Sequence, residues 1–295
     1  MRTRKRSAFT LFQLLLVLAM LLLFLALLIP AVAKVRLAAA RMQSSNNIKQ
    51  LLLAVHDYQS TYGKIPPGVD ANNFSTAAYL LPFIEQQNLY NAIDFKKPVD
   101  DKANAEARKA VIKIFLSPLD GVNRVRNDTG PTNYLFNDLA FNRMPPVDIV
   151  RAFPSGLSDT IAVGETLKGD GGTKAVDVHR QYVLLKADAL KGIKDDAGVS
   201  YWKDDKNIAG DRCGSWMDGR FLQGKFNGKL NLNDGRPDVS CGGEGGVSTL
   251  RTYTDFVLVG LGDGSVRSLN PRALSFKTWS LAMDPNKTEQ LGPDW

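Results

Sequence analysis

The chain has 295 residues, 44% of them hydrophobic and 23% charged, which excludes a disordered or low-complexity polypeptide and allows a sizeable packed core. Its net charge of +7 sits largely at the start, because Arg2, Arg4, Lys5 and Arg6 carry four of those charges. Basic residues further on are scattered among acids without an arginine-rich stripe, which argues against nucleic acid as a partner.

From Ser7 to Ala33 there is no ionisable side chain. A helix over that run reaches roughly 40 Å, more than the ~30 Å hydrocarbon core of a bilayer. The run also exceeds the ~7–15 apolar residues of a secretory signal, although Ala31-Val32-Ala33 would serve as a cleavage site. The cations before it favour a cytoplasmic N-terminus, and Lys34, Arg36 and Arg41 beyond it reduce that bias. Residues 34–62 continue with apolar side chains at Ile48, Leu51, Leu52, Val55, Tyr58 and Tyr62, the spacing of one helix face. Gly63 and Pro66-Pro67-Gly68 end that helix, and Pro30 is expected to kink it. The division that follows is a basic leader (1–8), a transmembrane half-helix (9–33), an amphipathic continuation (34–62) and an extracytoplasmic body (63–295).

Within the body, the apolar spacing predicts a short amphipathic helix over 77–95 and another over 104–116, the latter closed by Ser117-Pro118. "TIAVGE" (160–165) and "RQYVLLKAD" (180–188) read as strands. Residues 195–247, rich in Gly, Asp and Asn, read as long surface loops. Residues 252–270 read as a hairpin turning at Asp263-Gly264, a favoured type I′ pair. The expected fold is α+β: a long N-terminal helix packed on an antiparallel β-sheet, with a loop-rich C-terminal part. Cys213 and Cys241 are candidates for a disulfide if the body is exported, two buried thiols being the alternative.

Little in the chain points to catalysis, and no cofactor is expected. His56 falls on a helix and His179 precedes a strand, with no Gly-x-Ser-x-Gly elbow to partner either. There is no His pair at metal-binding spacing, and the two cysteines make no CxxC. "NLNDGRPD" (231–238) is oxygen-rich but lacks the spaced acids of an EF-hand. Tyr201, Trp202, Trp216, Phe221 and Phe226 would form a ligand surface if exposed together, which keeps open an anchored module that binds carbohydrate, peptide or calcium.

The basic leader, Ala8 and the following "FTLFQLLLVLAMLLLFLALLIPAV" resemble the cleavage and methylation segment of type IV prepilins and type II secretion pseudopilins. That resemblance implies cleavage between Ala8 and Phe9 by a prepilin peptidase, methylation of the new amine, and a kinking proline, here Pro30. It also implies anchoring in the inner (cytoplasmic) membrane and assembly with other pseudopilin-like subunits. The residue before the cut is Ala8 where the family usually has Gly. Gln13 stands where the family usually has the Glu that pairs with a neighbouring subunit's amine, so processing is implied more strongly than filament assembly. The blocks 40–68, 77–95, 131–137, 156–166 and 258–270 resemble, in order, the DUF1559 group of pseudopilin-like proteins abundant in planctomycetes. That group often carries His-x9-Asp-Gly near its end; here Asp263-Gly264 is present and Tyr253 holds the His position.

Overall fold

The computed structural model describes residues 11–122, 124–143 and 145–295. The chain forms two compact units, one ending at Met42 and the other running Gln43–Trp295.

Helix α1 (Leu11–Tyr62) begins in the first unit, and Pro30 lies inside it without interrupting the helical assignment. Its residues 11–39 are exposed all round, including Leu11, Phe12, Leu22, Phe24 and Ile29. The leucines and alanines that dominate this stretch are strong helix formers, so the backbone needs no tertiary support to be helical in an apolar solvent.

In the second unit α1 turns one-sided. Ser44, Asn47, Ile48, Leu51, Leu52, Ala54, Val55 and Tyr58 are buried, whereas Leu53 and Tyr62 stay exposed. This is the apolar face expected from the spacing, lengthened by two polar positions and ending one turn short of Tyr62. Each fully buried aliphatic side chain there contributes about 1.5–3 kcal/mol.

That face lies on a five-stranded sheet in the order β5-β1-β2-β8-β9. Its strands are β1 (Tyr134–Asn137), β2 (Ile161–Glu165), β5 (Lys225–Phe226), β8 (Val257–Leu261) and β9 (Val266–Leu269). Strands β1, β2, β8 and β9 pair antiparallel, while β5 joins β1 in parallel, so the expected antiparallel sheet is in fact mixed at one edge. Side chains alternate as the pleat requires. Tyr134, Phe136 and Leu258 join the cluster that holds α1; Leu135, Val257, Val259 and Leu261 face the C-terminal helix Phe276–Met283 through Trp279, Ala282 and Met283. Covered on both faces, β1, β2 and β8 are buried throughout, whereas the edge strand β9 is partly exposed. Gly260 marks the closest approach of α1: a Cβ there would lie 2.5 Å from both Ile48 Cγ2 and Leu52 Cδ1.

A second sheet has the order β4-β3-β6-β7, built from β3 (Tyr182–Leu185), β4 (Ile208–Ala209), β6 (Asp238–Cys241) and β7 (Gly245–Val247). Most of this sheet lies in the stretch expected to be surface loops. Residues 212–227 are almost wholly buried, because most of their polar side chains find partners elsewhere in the fold, Arg212 on Asp238, Lys225 on Asp138 and Asn227 on Gly246 O, rather than in water. Trp216, Phe221 and Phe226 are core residues, with only Tyr201 exposed and Trp202 part-buried, so these rings form no ligand surface.

Three other local expectations change. Residues 77–95 are not one helix but Thr76–Leu80, a 3-10 turn Leu81–Ile84 and Gln87–Asn91; Pro82 tightens the turn and Glu85 at φ 62° breaks the run. Residues 104–116 are helical to Arg108 and again only as a 3-10 turn Lys113–Phe115, because between them the Arg108 carbonyl accepts from Gly130 N–H and the Ala110 carbonyl from Trp216 Nε1–H, each at 2.7 Å. The hairpin joins β8 to β9, but its turn is not type I′. Only Gly264 has positive φ (88°), and Gly264 N–H donates to Leu261 O at 3.0 Å while Leu261 N–H donates to Ser265 O at 2.9 Å. That is a three-residue loop with a glycine bulge, in which Asp263 keeps an ordinary backbone.

Candidate functional site

The residues singled out for processing and assembly fall at one end of the chain. Ala8 and Phe9 lie outside the described residues. Gln13 sits in the first described turn of α1, the one polar side chain in the exposed run from Leu11 to Ala33. α1 is long and apolar enough to cross a membrane. Exposed apolar surface of this extent on a soluble protein marks a membrane or protein contact.

Where α1 enters the folded unit it is fixed by polar as well as apolar contacts. Ser44 Oγ lies 2.8 Å from Tyr134 Oη, and Asn47 Nδ2 donates to Tyr134 Oη at 3.2 Å and to Leu116 O at 3.0 Å. Behind Tyr134 is a buried ionic layer. Ser117 Oγ donates to Glu165, and Lys168 Nζ reaches Asn133 Oδ1 at 2.6 Å and Asp120 Oδ2 at 3.2 Å. Arg180 closes the layer on Asp120 Oδ1 at 2.9 Å. Burial raises the Glu165 carboxyl to about 6, and the Ser117 hydrogen bond only partly offsets it. Asp120 is equally enclosed, but Lys168 and Arg180 outweigh its burial and hold it below the usual carboxylate range. One layer thus contains a carboxyl that prefers its proton and another that keeps its charge.

The oxygen-rich stretch 231–238 is committed to arginines. Asp234 pairs with Arg236 at 2.8 Å, and Asp238 is shared by the buried Arg212 and Arg251. Among the described residues no group of three or more His, Cys, Asp or Glu is placed to hold a metal ion. His56 Nε2 donates to Gly262 O at 3.0 Å, tying α1 to the hairpin turn. His179 Nδ1 is 3.5 Å from Asp177 Oδ1, and burial lowers its pKa despite that neighbour. Tyr253, at the position where the resembling group has histidine, donates its hydroxyl to Asp177 and lies under Arg180, 5.2 Å from guanidinium to ring centre. Asp263 accepts from Ser265 N–H at 2.9 Å and is turn chemistry.

Cys213 and Cys241 are separate free thiols, both buried, which corrects the disulfide expectation. Cys213 belongs to the cluster under the C-terminal helix and Cys241 to the core of the second sheet. Burial raises both thiols, Cys213 to about 12, so neither is a reactive thiolate near neutrality.

Sequence reasoning missed a cleft of about 340 Å³ beside β3 and β6. Two arginine clusters flank it. Arg126 is 2.9 Å from Asp128 and 3.7 Å from Asp211, and Arg220 is 3.0 Å from Asp100 and also paired with Asp218. Tyr182 Oη donates to Asp211 Oδ1 at 2.7 Å; its burial, and then Asp211, push the phenol well above its ordinary pKa. These residues come from segments up to 120 positions apart (Asp100 to Arg220), so no local spacing announces the cleft.

Residues 33–145 match the model of a family described as a protein of unknown function (DUF1559). The match takes in the blocks at 40–68, 77–95 and 131–137, and stops before β2 and the β8–β9 hairpin. No curated protein and no solved structure matches the chain.

Proposed function

We propose that this chain is a pseudopilin-like structural protein: single-pass, cut between Ala8 and Phe9 by a prepilin peptidase, and carrying its folded unit outside the cytoplasm. The observation that carries the reading is α1 itself, one helix whose residues 11–33 are apolar and exposed all round and whose residues 44–58 are buried on one face only. A cleaved secretory signal needs no helical continuity with the domain it exports, and a pseudopilin-like subunit is built on it. The four cations of the leader favour keeping the N-terminus in the cytoplasm, where such a peptidase cuts.

Gln13 sets how far assembly goes. A glutamate in hydrocarbon is tolerable only when paired, and pairing with the N-terminal amine of the next subunit would drive stacking. Glutamine supplies hydrogen bonds without that charge, so the subunit joins a type II secretion-like or pilus-like assembly weakly, or displays its domain alone. The role is structural and not enzymatic. An anchored ligand-binding module is the second reading, favoured by the cleft beside β3 and β6.

Intact-mass analysis of the chain purified from membranes tests the first reading. A mature start at N-methylated Phe9 is expected; a retained Met1, or a start at Lys34, overturns it.

A further inference from the structure

The cleft beside β3 and β6 has a composition that selects a class of ligand. Its volume, about 340 Å³, lies at the lower end of the ~300–1,000 Å³ common for small-molecule sites. Its charges are already balanced. Its lining carries three arginines and three aspartates: Arg126 pairs with Asp211, Arg220 with Asp100 and Asp218, and Arg108 donates to Val99 O, so the lining as a whole carries no net charge. The same pairs hold planar donors and acceptors side by side in fixed orientations, an arrangement that suits vicinal hydroxyls, each of which donates and accepts at once.

Two further features point the same way. Ser215 lines the cleft and is 5% exposed, yet its Oγ has no hydrogen-bond partner among the described residues. A buried hydroxyl left unpaired is destabilising, and a ligand hydroxyl would supply the missing hydrogen bond. The lining also includes Leu184, which is exposed, and Gly242 and Gly243. Both glycines have positive φ (60° and 78°), and a Cβ on Gly243 would press on the Arg220 stem at 3.1 Å, so glycine there lets that stem pack directly on the backbone. The exposed Leu184 side chain offers the C–H face of a sugar ring an apolar surface.

We propose that this cleft binds a neutral saccharide of one or two rings. The assignment rests on the cleft alone, so an unprocessed N-terminus leaves it standing, and absence of sugar binding leaves the anchor reading standing.

The test uses the full chain in lauryldimethylamine oxide, a detergent without a sugar head group. Saturation-transfer NMR and titration calorimetry are run with glucose, galactose, N-acetylglucosamine, cellobiose and lactose, and with inorganic phosphate as the charged control. Saturable binding of at least one saccharide is expected, weakened about tenfold by Ser215→Ala and by Asp211→Asn. Should Asp211→Asn unfold through loss of its Tyr182 bond, Leu184→Arg at the exposed wall is the second variant, and it is expected to block binding. No saturable binding of any of the five sugars, saturation by phosphate alone, or sugar binding that Leu184→Arg leaves unchanged would overturn the proposal.

Discussion

The two halves of α1 have the same backbone and opposite rules for their side chains. Over residues 11–33 every direction around the helix is apolar, and position on the circumference carries no information. Over residues 44–58 it carries nearly all of it: Leu51 and Leu52 are buried while Leu53 is 60% exposed. The first pattern fits a solvent that is apolar on all sides and the second a sheet on one side and water on the other. One helix is therefore written for two environments, and substitutions distinguish them.

The largest effect is expected in the buried half. Leu51→Ala should cost about 2–5 kcal/mol in chemical denaturation, whereas Leu53→Ala, two positions on, should stay within about 0.5 kcal/mol. Equal losses at the two sites would erase the contrast. In the first half the measure changes from folding to partition. Leu22→Arg places a charge mid-run at about 2.5–3.5 kcal/mol, so a larger share of the chain should appear in the soluble fraction while the folded unit keeps its melting temperature.

A smaller effect concerns the ionic layer behind the helix. Because the Glu165 pKa is raised from 4.5 to about 6, its contribution is fully present below pH 4.5 and is lost as pH rises through 6. Glu165→Gln should therefore gain up to about 2 kcal/mol over the parent at pH 7.5 and nothing at pH 4.5. Asp120 has the opposite sign, its pKa being lowered, so its contribution is lost only as pH falls below the usual carboxylate range. A difference between parent and variant that does not change between the two pH values would remove Glu165 as the titrating group. The smallest effect is at the cysteines: a reductant should leave the melting temperature unchanged, since Cys213 and Cys241 are unpaired thiols. A bridge would have been worth about 3 kcal/mol and would show at once.

Legibility in the sequence follows the range of the interactions. The face of α1, the strands around Ile161–Glu165 and Tyr182–Leu185, and the β8–β9 hairpin rest on local periodicity and were readable. The helix expected over 104–116 fails because the Trp216 indole, 106 residues away, competes for the Ala110 carbonyl. Residues 195–247 look like solvated loops because their charges are visible and their partners are not; the Arg212–Asp238–Arg251 cluster is assembled only by the second sheet. The cleft was hidden for the same reason, its arginines and carboxylates being gathered from separate segments.

The account depends most on α1 meeting two solvents, and maleimide labelling of single cysteines along the helix, in a Cys213→Ala, Cys241→Ala background and in native membranes, tests that directly. Leu22→Cys should be protected with and without urea, Leu51→Cys protected until urea unfolds the domain, and Leu53→Cys reactive throughout. Labelling of Leu22→Cys as fast as Leu53→Cys in native membranes would contradict the account, because it would place the apolar half of the helix in water.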